Sequence, residues 1–193
     1  MAVILGLIVV AGIALGALSV IVYTLRYGIS PMPTSPRVRR ELFRLLPEDP
    51  GGPVAELGAG WGTLAFPLAR RWPEQTVTAY EISPMPWLFS RGRLLVRPCS
   101  NLRVVRRDFF AADLHGTALV VCYLYPGAMN RLRAKFEAEL SPGAAVLTHT
   151  FAVPGWVPET VVRAPDLYRT PIYLYRVPAR FRSPGPPARE HDS

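Results

Sequence analysis

Lysine is almost absent from this chain: Lys135 is the only one, and arginine supplies every other basic side chain. Cysteine is equally scarce, at Cys99 and Cys122, with no histidine at ligand spacing from either. That argues against a zinc site and a disulfide scaffold, and makes a reducing compartment the simpler assumption. Cys122 lies in an apolar run and reads as a small packed hydrophobe. Charge of either sign is missing from Met1 to Leu25, MAVILGLIVVAGIALGALSVIVYTL. As a helix this stretch spans ~35 Å, enough to cross a hydrocarbon core. A cleaved signal peptide, the competing reading, normally carries a positive segment before a shorter apolar run. Here the charges follow instead, at Arg26, Arg37, Arg39 and Arg40. The positive-inside rule then places the remainder of the chain on the cytoplasmic side. The expectation is a single-pass anchor over residues 1–25, with Gly12 and Gly16 forming one GxxxG step for homodimer pairing or arising by chance.

The 193 residues are half hydrophobic and suit one domain with a sizeable core. The net charge of +8 is compatible with a nucleic acid or anionic partner, and equally with scattered solvated arginines. Residues 26–53 read as a linker and an N-terminal helix. Within them Ser35-Pro36 suits an N-cap and first helical position, and VRRELFRLL follows with an apolar face. From Val54 strands are expected at 54–57, 76–82, 102–106, 118–124 and 144–150, with helices near 62–72, 85–96 and 127–140. Such alternation predicts a mostly parallel sheet with helices on both faces. ETVVRA and PIYLYRV are expected to add a C-terminal antiparallel hairpin, closing a domain over 54–177. Residues 178–193, rich in proline, arginine and serine, read as a disordered tail.

The stretch VAELGAGWGTLAFPLARRW, 54–72, places Gly58, Ala59, Gly60 and Gly62 between a strand and a helix. Glycines let backbone approach a ligand closely, and a helix start offers free N–H donors. The dinucleotide spacing G-x-G-x-x-G is absent, and so is a P-loop Lys-Ser/Thr. Glu56 just ahead of the glycines would repel a pyrophosphate but suits a cofactor bearing positive charge, such as S-adenosylmethionine. Glu81, at the end of the second strand, is placed to accept hydrogen bonds from ribose hydroxyls; a solvated strand end is the plain alternative. Asp108 follows the third strand, where a carboxylate can hold an adenine amino group or pair with Arg106 and Arg107.

E-L-G-A-G-W-G resembles motif I of the class I, seven-strand methyltransferases, and Glu81 and Asp108 match that fold's next two cofactor positions. More narrowly, the chain resembles the small membrane-anchored protein-lysine methyltransferases typified by the mitochondrial enzymes acting on ATP synthase subunit c and on the adenine nucleotide translocase. The residues that carry this are the N-terminal anchor, Pro33-Thr34, YEISPMPWLFSRGRL and FAVPGWVPETVV. An inserted Met85-Pro86 departs from the family stretch. The resemblance implies a Rossmann-like seven-strand fold preceded by one transmembrane helix, and Thr34 as a residue shaping the lysine channel.

Methyl transfer to an amine is an in-line displacement, in which positioning and charge placement are the protein's main contributions. Y-L-Y-P-G, 123–127, follows the fourth strand, where [DN]-P-P-[YF] stands in many nucleic-acid amino-methyltransferases. Its absence counts against a nucleic-acid substrate. Tyr125 can pack on a lysine stem or close the sheet edge as a buried aromatic. No general base stands in this motif, so desolvation is expected to lower the lysine pKa, with His149 structural. Phe151 and Trp156 can wall the acceptor site or belong to the core. The expected catalytic residues are Thr34 and Tyr125, the expected cofactor S-adenosylmethionine, with no metal. The expected substrate is a lysine-bearing membrane protein. A methyltransferase of a lipid head group or small amine remains open, as does a non-catalytic cofactor-binding membrane scaffold.

Overall fold

Short β-branched and aliphatic runs, each stopped by glycine, proline or a charge, build a seven-stranded sheet in the computed structural model, which describes residues 1–27 and 33–179. The strands are β1 (Val54–Leu57), β2 (Val77–Glu81), β3 (Leu102–Arg106), β4 (Leu119–Cys122), β5 (Ala145–His149), β6 (Thr160–Arg163) and β7 (Pro171–Arg176). Their order across the sheet is β3-β2-β1-β4-β5-β7-β6. The first five are parallel, and β7 runs antiparallel between β5 and β6. This is the seven-strand Rossmann-like α/β fold with the expected hairpin at one edge. β1, β4 and β5 are buried along their whole length, as strands covered on both faces must be.

Helices α2 (Pro36–Leu45), α3 (Ala65–Arg71) and α4 (Pro84–Val96) cover one face, and α5 (Pro126–Glu139) covers the other. Pro36 opens α2 with Ser35 as N-cap, its Oγ accepting from the Val38 N–H at 3.3 Å. Val38 and Leu42 then lock α2 onto the sheet. Full burial of a side chain such as Leu42 contributes about 1.5–3 kcal/mol. Cys122 packs in the second cluster, and burial pushes its thiol up to about 12, so it is an inert hydrophobe. Trp156 lies among Phe136 and Tyr175 and donates to Glu137, which makes it part of the α5 face.

A further helix, α1 (Ala2–Tyr27), forms over the uncharged N-terminal run. Among the described residues, however, no helix is long and apolar enough to cross a membrane. The single-pass anchor, and with it the placing of the domain on the cytoplasmic side, is therefore corrected. The physical reason is that α1 leans on its own domain. Gly16 faces the tip of Met85 on α4, and Ser19 and Val20 are half-buried. The part of α1 ahead of Gly16 rises only about 21 Å, short of the ~30 Å hydrocarbon core. A Cβ at Gly16 would lie 3.2 Å from Met85, so half of the expected GxxxG pairing step is covered from within the chain. Met85, in the Met85-Pro86 departure, is thus a point where α1 meets the domain. The tail expected to be disordered lies outside the described residues beyond Ala179.

Candidate active site

Strand register lines up the site. Leu57 pairs with Tyr80 on one side and Cys122 on the other, and Cys122 pairs with Thr148. The residues one step further, Glu81, Gly58, Tyr123 and His149, therefore form a row along the C-terminal edge of the sheet. The row spans β2, β1, β4 and β5, with neighbours about 5 Å apart. The strand order reverses between β1 and β4, and ligands of open α/β sheets bind at such a switch point.

On the β1 side the chain makes a bare loop. Gly58, Gly60 and Gly62 have φ of 76°, 52° and 71°, a left-handed region costly for side chains. Gly58 and Ala59 donate to the Tyr80 carbonyl at 3.0 and 2.9 Å, and Gly62 donates to the Ala59 carbonyl at 2.9 Å. A Cβ at Gly58 would strike Leu124 at 2.8 Å, whereas at Gly60 it would meet nothing within 4 Å. Gly60 thus borders open space, and its N–H donates to Glu81 Oε2 at 2.7 Å. Glu81 Oε1 accepts from the Ser83 N–H at 2.7 Å. One carboxylate holds both the loop and the start of α4.

Glu56 lies beneath this loop, only 3% exposed, and its Oε2 has no hydrogen-bond partner. Burial, reinforced by the Glu81 charge, raises its carboxyl well above the usual range, against one opposing N–H from Ala65. An orphaned carboxylate oxygen at a cradle calls for a cation or donor. S-adenosylmethionine fits that demand through its ammonium group, and the open side of Gly60 leaves room for it. Asp108 is half-buried and caps the 3₁₀ turn Phe109–Ala111, its Oδ1 accepting from the Phe110 N–H at 2.9 Å. That local role was not foreseen.

On the β4–β5 side the site is neutral and aromatic. Tyr123 stacks on His149, ring centroids 4.1 Å apart. His149 Nε2 lies 3.1 Å from Thr34 Oγ1, and Nδ1 lies 3.1 Å from Thr150 Oγ1. Thr34 is buried, brought across the sheet edge by the docking of α2. Burial lowers the His149 pKa to about 4, opposed weakly by Asp166, so the ring is neutral near pH 7. Thr150 adopts φ 70°, strained for a β-branched residue and of a kind found at functional sites. Tyr125 caps α5 beside Gly127, half-buried. Tyr123, quoted only within Y-L-Y-P-G, and Thr150 were given no role of their own from the sequence; their register beside Gly58 and His149 is the signal that could have found them. Trp87 donates to the Val104 carbonyl at 3.4 Å and packs on the core.

Sheet order, glycine loop and paired acids define a class I methyltransferase that uses S-adenosylmethionine. The chain belongs to the ANTKMT methyltransferase domain family, whose model matches residues 56–160. A protein-lysine N-methyltransferase of Saccharolobus islandicus is 25% identical over 75% of this chain and 91% of its own. The adenine nucleotide translocase lysine N-methyltransferase of Mus musculus is 30% identical over 72% of this chain, which spans 60% of the mouse protein. An RNA methyltransferase of Salinibacter ruber, solved with S-adenosyl-L-homocysteine, superposes with TM-score 0.67 at 25% identity, covering 78% of this chain and 96% of that one.

Proposed function

We propose that this chain methylates the side-chain amine of a protein lysine, the acceptor entering over Tyr123, Tyr125 and His149. The observation that carries this is the neutral, aromatic end of β4 and β5, with Thr34 held against it. The names of the two curated relatives support the substrate class. A protein borne on a membrane is the natural candidate by analogy with the mouse relative.

S-adenosylmethionine supplies an electrophilic methyl group on a sulfonium. Glu56 Oε2 would take its ammonium, and Glu81 would take the ribose hydroxyls with the lone pairs its two backbone bonds leave. Gly58, Ala59, Gly60 and Gly62 let the loop close around it, and Asp108 Oδ2 remains for an adenine amino group. The acceptor must lose a proton before its nitrogen can attack. A desolvated site lowers an ammonium pKa without any base. His149 is not that base, since both its ring nitrogens are engaged by hydroxyls. Thr34, Tyr123 and Tyr125 instead orient the amine and exclude water, and the proton departs to solvent.

The test is incubation of the purified protein with labelled cofactor and whole-cell extract, followed by separation of protein from lipid. Label recovered as methyl-lysine and lost in Glu81→Ala is the expected result. Label in the lipid or small-molecule fraction would overturn the lysine assignment while leaving the cofactor site standing.

A further inference from the structure

Three helices turn arginines into one concavity. Arg39 and Arg40 of α2, Arg70 of α3 and Arg93 of α4 line a groove of about 460 Å³ together with Pro36, Phe43 and Pro67. None of the four forms an ion pair among the described residues, whose salt bridges involve other bases. Glu41, the acid of α2, is taken by Arg44. Arg93 lies over the Phe66 ring, its Cζ 4.1 Å from the centroid, which fixes its direction. Burial lowers the Arg93 pKa, and Arg70, Arg97 and Arg39 lower it further by repulsion. Among the described residues like charges are gathered here without a paired acid, a repulsion that a bound anion would relieve.

Scattered surface arginines would not converge from three helices on one pocket, nor leave Arg39 and Arg93 half-buried. Guanidinium forks match phosphate oxygens two at a time. The volume falls within the roughly 300–1,000 Å³ of small-molecule sites. A nucleic-acid strand would need a track of many phosphate contacts, which one such groove does not provide. We propose that this groove binds a compact polyphosphate anion, either a free di- or triphosphate or the phosphorylated head group of a lipid.

The experiment titrates inorganic tripolyphosphate into the full-length protein by calorimetry at about 0.15 M ionic strength. In parallel, phosphatidylcholine vesicles with and without a phosphoinositide bisphosphate are floated with the same protein. Binding in either arm is expected, weakened about tenfold or more in the double variant Arg70→Gln, Arg93→Gln. Heat with tripolyphosphate but no flotation assigns a free phosphate; flotation that requires the phosphoinositide assigns the head group. S-adenosylhomocysteine affinity, unchanged in the variant, shows that the fold and cofactor cradle survive. Absence of binding in both arms overturns the proposal, as does binding that the double variant retains, or binding confined to a single-stranded RNA added as a third probe.

Discussion

A carboxylate buried without a partner costs stability, and Glu56 is such a group. Its pKa lies above the ordinary value because of burial and then Glu81. Between those two pH limits the folded chain keeps a proton that the unfolded chain has released. Stability therefore falls as pH rises through that window. Glu56→Gln removes the charge, so its urea midpoint should exceed the wild type's above the window and match it below the ordinary carboxylate range. The same change should weaken S-adenosylhomocysteine binding about tenfold or more, an ammonium losing its ionic partner. Parallel midpoints from about pH 4 to about pH 8 would refute the account. His149 has the opposite sign. Its pKa is depressed from 6.5 to about 4, so the unfolded chain binds the extra proton between these values. The stabilisation is complete above 6.5 and is lost as pH falls towards 4, on the order of 3 kcal/mol. His149→Gln should lose that acid-side slope in urea titrations, and a variant with the wild-type slope would show that the ring titrates freely.

Among the described residues, Asn101 is the clearest polar side chain that joins elements. Its Nδ2 lies 2.9 Å from the carbonyls of Ala69, Trp72 and Gln75, tying the end of α3 and the turn into β2 to the start of β3. The last carbonyls of a helix need such partners. Asn101→Ala should cost about 1–3 kcal/mol, read as a lower urea midpoint with little change in cofactor affinity; a neutral result would mean water replaces the amide without loss. The contrast with β1 explains what could be read from the chain beforehand. All seven strands stand within a residue or two of expectation, because apolar runs ended by glycine, proline or charge are local signals. Glu56, the glycines and Glu81 were legible for the same reason, each lying beside a strand end. The Thr34–His149 pair, 115 positions apart, and the Tyr123 stack were not, since both depend on which strands neighbour one another and where α2 lands.

At the scale of the whole molecule, α1 touches the domain on α4 while much of its described surface is exposed. Among the described side chains, neither of the two core clusters includes a residue of it, and Ile4, Leu5, Leu7 and Val10 are each more than 60% exposed. A contact with the domain, among the described residues, falls on α4 at Met85. That position matters because α4 begins three residues after Glu81, whose Oε1 already holds the Ser83 N–H. Two outcomes are thereby distinguished for a chain lacking residues 1–27. If the Gly16–Met85 contact only covers apolar surface, the shortened chain should keep its melting temperature within a few degrees, a change of about 1 kcal/mol. It should also bind S-adenosylhomocysteine within about twofold of the full chain. A loss of affinity beyond about tenfold with the melting temperature preserved would instead mean that α1 sets the start of α4, and through Ser83 the Glu81 carboxylate. The cradle as built rests on backbone bonds and on the Glu81 carboxylate within 56–83, so the first outcome is expected.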